Sequence, residues 1–329
     1  MKVHYSQADT DALIDEILKN YNFHKPITCC LYRKGMSDVY KITTPDGIYY
    51  LKNYLTNIYN LTDYEEEAFI INSLNENGVN TAAPVMCENG NFVWAINAPE
   101  GIRYAVLFKE AKNSPSNDNV LKNFNFGQAV AKMHSVSDEQ DYKISREQID
   151  FAQLIEKPLE KLKPLIENSE EYAFICDAME NLRKFIAERL TLEKPYYGFC
   201  HGDIQIGNVF FDGETPTFFD FDTMGYGWRA HDISVHIFNS EAFINPNFRE
   251  SDECKAFFNG YNSIRQLSEN ELECINAFGA VRAIWALGIN IDLLKINGFY
   301  SANPLINYLS GVFKTWYHKV FTNLVETIK

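Results

Sequence analysis

The sequence predicts an α+β protein of two lobes: a small β-rich N-terminal lobe with one packed helix, and a larger, mostly helical C-terminal lobe. Three observations predict it. Strand-like runs separated by turn residues crowd residues 27–108. The run Asn113-Ser114-Pro115-Ser116-Asn117-Asp118 has the clearest linker composition in the chain. Beyond it, apolar residues recur at helical spacing except around residues 199–232. We therefore place the lobes at 1–112 and 113–329. At 329 residues, 46% of them hydrophobic, the chain is long enough to bury a core in each.

The elements follow in order. Residues 8–20 read as an amphipathic helix capped by Asp9 or Thr10, with Leu13, Ile14, Ile17 and Leu18 on one stripe. Strand runs follow at 27–32, 39–43 and 48–54, the last entered by a Pro45-Asp46-Gly47 turn. Between the first two lies Arg33-Lys34-Gly35-Met36-Ser37-Asp38, which by itself makes an ordinary hairpin turn. Lys52 sits inside the third strand, where alternation points it inward among aromatic residues, and an inward lysine needs a counter-charge. The next helix offers Glu65, Glu66 and Glu67, and Gly78 stops it. Three further strands are expected at 83–87, 92–96 and 103–108. Helices are expected at 119–136, 145–167, 170–191, 233–238 (opened by Asp232), 250–262, 268–292 and 303–328.

Residues 199–232 are the stretch around which the chain is organised. Asp203, Asn208 and Asp220 are polar among strongly apolar neighbours. Val209-Phe210-Phe211, a turn at Asp212-Gly213, and Phe218, Phe219 and Phe221 read as a hairpin. Such a hairpin holds Asn208 at the start of one strand and Asp220 at the end of the other. An amide oxygen and a carboxylate side by side are hard oxygen ligands suited to Mg²⁺, which keeps water and phosphate oxygens as its other ligands. Asp203, on the loop entering the hairpin, is placed to orient and deprotonate a hydroxyl.

The sequence His201-Gly202-Asp203, Gln205, Gly207-Asn208, Asp220-Phe221-Asp222, Tyr226, Arg229 and Asp232-Ile233 resembles the aminoglycoside phosphotransferase and choline kinase superfamily, small-molecule kinases of protein-kinase-like fold. Protein kinases have His-Arg-Asp and Asp-Phe-Gly at these places. The resemblance implies a phosphotransferase with an alcohol group as acceptor. Asp203 is then the catalytic residue; Asn208, Asp220 and Asp222 are the Mg²⁺ ligands; and His201 and Asp232 support the catalytic loop. It also implies Gly35 and Ser37 at the nucleotide phosphates, a Lys52–Glu67 ion pair, and a hinge over 107–112 in which Phe108 and Glu110 adjoin the purine. ATP or GTP is the implied co-substrate. His134 is implied to be structural. Together the implied residues would converge on one cleft.

Composition narrows the acceptor and the setting. With 44 acidic against 30 basic residues the net charge is −14, which argues against a nucleic-acid partner and favours a cationic small molecule. The same balance also describes an ordinary acidic surface. Tyr261, Trp285, Tyr308, Trp316 and Tyr317 are candidates for an aromatic box around an ammonium group, although such spacing is more often core. No run of about 18 apolar residues occurs and the N-terminus lacks an apolar signal core, so neither membrane span nor export is expected. Seven cysteines without metal spacing read as thiols of a cytoplasmic protein. The expected acceptor is an amine-bearing alcohol or an aminoglycoside, with homoserine, sugars and macrolides as alternatives. Two other classes compete. One is a His-Asp metal-dependent phosphohydrolase using His134, His201 and His231-Asp232, and the other is an inactive nucleotide-binding scaffold.

Overall fold

The computed structural model describes residues 3–166, 169–297, 311–315 and 317–318. They cluster into two compact units. The first holds the described residues up to Ser114 together with two short returns, Tyr142–Ser145 and Thr217–Phe219. The second holds Pro115–Asp141, Arg146–Pro216 and the described residues from Asp220 onward.

The first unit is built on a five-stranded antiparallel sheet in the order β1-β2-β3-β5-β4. Its strands are β1 (Thr28–Lys34), β2 (Ser37–Thr44), β3 (Gly47–Tyr54), β4 (Val93–Ala98) and β5 (Gly101–Lys109). Strand alternation gives each face its own core. Leu51 joins Tyr40, Ile42 and Leu107 on one face, covered by Leu13, Ile17 and Leu18. Those three belong to helix α1, which starts at Thr10–Ala12 and continues through a wider turn at Leu13–Ile17 and a tighter one at Leu18–Asn20. Asp9 caps it by accepting from the Asp11 and Ala12 amides. On the other face Tyr54, Val93 and Val106 pack with Tyr64 and Ala68 of α2 (Leu61–Glu76). A reciprocal Asn60–Asp63 capping box opens α2, and Gly78, at φ 79°, follows its end.

One expected strand is absent as such. Residues 83–87 run beside β5 with an isolated Pro84–Phe108 bridge and two backbone bonds, Val85 N to Leu107 O and Lys109 N to Ala83 O. Pro84 has no N–H to continue a ladder.

In the second unit, α3 (Asn119–Asp138) and α7 (Asp252–Asn262) lie backbone to backbone. A Cβ on Gly127 would come within 2.0 Å of the Phe257 carbonyl oxygen, and one on Gly260 within 1.9 Å of the Phe124 carbonyl oxygen. The expected helix at 145–167 begins only near residue 151, with helical turns at Ala152–Glu156, α4 (Lys157–Leu162) and Lys163–Leu165; α5 spans Ser169–Ala187. Two small strand pairs follow: β6 (Tyr197–Cys200) with β9 (Gly225–Trp228), and β7 (Val209–Asp212) with β8 (Thr215–Phe218). The glycine-rich run Gly225-Tyr226-Gly227-Trp228 is thus a strand, its amides and carbonyls paired with β6 from Tyr197–Trp228 to Cys200–Gly225.

Helices α6 (Arg229–Asn239) and α8 (Glu269–Asn297) pack together. The stretch Glu269–Asp292 of α8 is long and apolar enough to cross a membrane by composition, a property the sequence reading missed, but 72% of that apolar window is buried inside the protein. It has the character of a core helix. The expected helix at 303–328 lies almost wholly outside the described residues. All seven cysteines are free thiols.

Candidate active site

In the first unit, Lys52 lies on β3 opposite Val39 and Val106 and is 9% exposed. Its ammonium stands 5.1 Å from the centre of the Tyr54 ring. The Tyr54 hydroxyl donates to Glu67 Oε1 at 2.8 Å, and Glu67 on α2 is buried. Tyr54 therefore touches both members of the expected pair. Alternation along β3 carries residues 52 and 54 to the α2 face, which is why the helix meets them there.

The β1–β2 connection is a tight turn in which the Gly35 amide donates to the Ser37 carbonyl at 3.0 Å. Gly35 is exposed and an added Cβ would meet nothing within 4 Å. Ser37 is buried as the first residue of β2. The neighbouring Asp38 carries an anchor that the sequence reading missed. Its carboxylate accepts from Tyr5 at 2.6 Å and from Arg103 Nη2 at 2.9 Å. Arg103 is itself buried and also donates to the Tyr54, Asn53 and Ser6 carbonyls. At the far end of the sheet, Phe108 is half-buried on β5. In the expected hinge, the Glu110 amide donates to the Ile48 carbonyl at 3.3 Å.

In the second unit, the loop from His201 to Asn208 is folded around Asp203. Asn208 ends a single helical turn, Ile206–Asn208, that leads into β7. Its amide nitrogen donates to Asp203 Oδ2 at 2.8 Å and to the Asp203 carbonyl at 3.0 Å. These bonds turn the opposite amide atom, Oδ1, into the one a metal ligand would use. Gln205 Nε2 donates to the same Asp203 Oδ2 at 2.9 Å and is itself bonded through Oε1 to Asn239. Asp203 Oδ1 is gripped by Arg282 Nη2 at 2.5 Å.

The loop owes its shape to Asp232, the fourth residue of α6. One carboxylate oxygen accepts from the Gly202 amide at 2.7 Å, and the other accepts from the His201 amide at 2.8 Å and meets His134 Nε2 at 3.1 Å. His134 Nδ1 meets the Tyr261 hydroxyl at 2.9 Å. Burial works to raise the Asp232 pKa, but the His134 hydrogen bond and the surrounding histidines outweigh it and the net shift is downward. Burial pushes His134 down to about 4, with Arg229 adding to the effect and Asp232 opposing it.

Asp220 and Asp222 flank the buried Phe221. Phe221 lies against the His201 ring with centroids 4.2 Å apart. Asp220 adopts φ 68°, a left-handed conformation unusual outside glycine and costing roughly 1–3 kcal/mol. The Asp222 carbonyl accepts from Arg146 Nη1 at 3.1 Å. Gly202, at φ 83°, sits so close to this segment that a Cβ would fall 2.0 Å from the Thr223 carbonyl oxygen. The structure thus draws His201, Gly202, Asp203, Asn208 and the 220–223 segment together. No ordinary L side chain fits at residue 202.

Two other expectations meet the structure here. Tyr261 is fully buried and bonded to His134, and the Trp285 ring already carries a cation, the Arg282 guanidinium 3.9 Å from its centroid. Tyr317 packs against Phe174 and Phe313. These three are therefore occupied internally, while Tyr308 and Trp316 lie outside the described residues. The histidines of the phosphohydrolase alternative are buried. Burial lowers His231 to about 4, and ligand atoms of His134, Cys200 and Asp232 do lie within 4.8 Å of one another. However, Asp232 is bonded to two amides and His134, and burial pushes the Cys200 thiol well above its ordinary range. That cluster holds a loop in place, and it lies in the core.

The chain is similar to known proteins along most of its length. Residues 28–266 match the model of the phosphotransferase enzyme family. An uncharacterized protein of Synechocystis sp. is 29% identical over 300 residues, covering 90% of this chain and 81% of that protein. The amicoumacin kinase of Bacillus subtilis is 28% identical over 169 residues, 49% of this chain and 48% of its own. Among solved structures, an amicoumacin kinase in complex with AMP-PNP and Ca²⁺ is 21% identical at a TM-score of 0.76, covering 96% of this chain and 94% of that one. A microcompartment-associated aminopropanol kinase is 17% identical at 0.74, covering 95% and 98%. The fold is therefore that of the protein-kinase-like small-molecule kinases. Because the match spans the sheet, the 201–208 loop and helices α3 to α7, the chain belongs to the phosphotransferase enzyme family and is a kinase that phosphorylates a hydroxyl of a small molecule.

Proposed function

We propose that this kinase uses Mg²⁺–ATP to phosphorylate an amine-bearing alcohol, with Asp203 orienting the acceptor hydroxyl. The observation that carries the reading is the Asp203–Asn208 pair. One side chain's carboxylate and the other's amide are locked together by a 2.8 Å bond, so a hydroxyl-orienting group and a metal ligand hold a fixed relation. Asn208 and Asp220 are the proposed Mg²⁺ ligands, with Asp222 beside them. In the first unit, Lys52, steadied with Glu67 about Tyr54, serves the α- and β-phosphates, and the Gly35–Ser37 turn offers main-chain amides to phosphate oxygens. Phe108 is the proposed purine contact.

In the reaction, the acceptor oxygen bonds to the γ-phosphorus as the bond from that phosphorus to the bridging oxygen breaks. The nucleoside diphosphate leaves with the electron pair, and the hydroxyl proton passes through Asp203 to solvent. Positioning and charge neutralisation supply most of the rate in such loose transfers.

Support for a cationic acceptor comes from the net charge of −14 and from the relatives named for amicoumacin and aminopropanol. A shorter match, 34% identical over 80 residues, is to a probable choline kinase of Arabidopsis thaliana. The test is a nucleotide-consumption screen with ATP and GTP against amino alcohols, aminoglycosides, macrolides, homoserine and sugars. Mg²⁺-dependent phosphorylation of an amino alcohol or aminoglycoside is the expected result. Turnover only with acceptors lacking an amine would overturn the acceptor class.

A further inference from the structure

Arg282 lies on α8 within an otherwise apolar run, Ala277 to Leu287, and is 5% exposed. Its guanidinium is stacked on Trp285 and bonds Asp203 Oδ1 through Nη2, while Nε and Nη1 have no hydrogen-bond partner among the described residues. Burial pulls its pKa down and Asp203 opposes that shift. Such a residue is a poor device for stability. A buried ion pair is commonly no better than apolar packing, and two unpaired guanidinium nitrogens add a further penalty. Among the described residues, its one hydrogen-bonding partner is the Asp203 carboxylate.

That carboxylate has about four lone-pair sites. Asn208 and Gln205 take two at Oδ2, and Arg282 takes one at Oδ1. Among the described residues one site remains, on Oδ1. We propose that Arg282 is a positioning residue that leaves a single oxygen of Asp203, Oδ1, to receive the acceptor hydroxyl. This rests on the reading of Asp203 given above and adds a determinant outside the matched motif. With Arg282 gone, Oδ1 loses its anchor, the carboxylate turns about its Oδ2 bonds, and the hydroxyl has more than one place to bind.

The test is a double-mutant cycle on Arg282→Met and Asp203→Ala, with Arg282→Lys as a charge-keeping variant. The probes are MgATP with ethanolamine and, side by side, MgATP hydrolysed by water. Arg282→Met is expected to lower kcat by about 10- to 100-fold with the KM for MgATP within about twofold of wild type. Arg282→Lys should recover part of that loss. In the Asp203→Ala background, Arg282→Met should change nothing further, because its effect acts through the missing carboxylate. An equal fold loss in both backgrounds, a wild-type kcat in Arg282→Met, or a loss confined to KM overturns the proposal. If Arg282→Met lacks a cooperative thermal transition, Arg282→Lys decides, and wild-type kcat in it with both probes counts against a role for the guanidinium fork. Unchanged turnover in Asp203→Ala alone would instead refute the reading of Asp203, a separate outcome.

Discussion

Gly202 carries two constraints at once: a φ of 83° and a Thr223 carbonyl where a Cβ would lie. Gly202→Ala is expected to cost roughly 1–3 kcal/mol of stability through backbone strain. It should also displace Asp203 enough to cut kcat by about 100-fold, since a shift near 1 Å is that damaging in a positioned transfer. Wild-type kcat in this variant would show that the loop does not need its observed shape. Asp203, Asn208 and Asp220 stand out in the sequence because they are polar among strongly apolar neighbours and close to one another in number. Arg282 was not, because it is 79 residues from Asp203 and joins the site through helix packing. A signal existed, for a single arginine between Val281 and Ala283 in an apolar helix must find a counter-charge. Asp38 and Arg103 were missed for the same reason: their pairing crosses 65 residues of chain.

Elements were read well where periodicity decided them and poorly where pairing did. Strands β1 to β3 and helices α2, α3 and α7 stand within a few residues of expectation, because strand alternation, helical periodicity and the stop at Gly78 are local signals. Strand β9 was hidden because its glycines, Gly225 and Gly227, speak for a loop unless the partner β6 is known. Residues 83–87 erred the other way, with an apolar run that Pro84 keeps out of the sheet. Asp232 illustrates how an element serves a site. Placed in the first turn of α6, it binds two amides of the preceding loop, so helix and loop move as one. The expected first turn of α6 and the expected supporting role of Asp232 came from one motif, which is why they could be read together.

Across the whole molecule the buried histidines set an acid sensitivity. His134 and His231 are held near 4 and His236 near 3, all by burial first, against 6.5 in an unfolded chain. Between pH 6.5 and about 4 the unfolded state binds protons that the native state refuses, so stability falls as pH falls through that window. Each histidine contributes up to about 1.4 kcal/mol per pH unit. Asp232, with its pKa lowered below 3.8, contributes stability that is lost only at still lower pH. Urea midpoints measured from pH 7 to 4.5 should therefore decline steadily, and His236→Leu should flatten the decline by about a third. A flat profile would mean that these rings are solvated.

Calorimetric titration of Mg²⁺–ATP, paired with steady-state turnover in Asp203→Ala and Asp220→Ala, separates hydroxyl positioning from metal binding. Asp203→Ala is expected to bind Mg²⁺–ATP within about threefold of wild type while kcat falls by about 10²- to 10⁴-fold. Asp220→Ala is expected to lose the Mg²⁺-dependent part of nucleotide binding. Wild-type turnover in Asp203→Ala, or Mg²⁺-dependent binding undiminished in Asp220→Ala, would contradict the account.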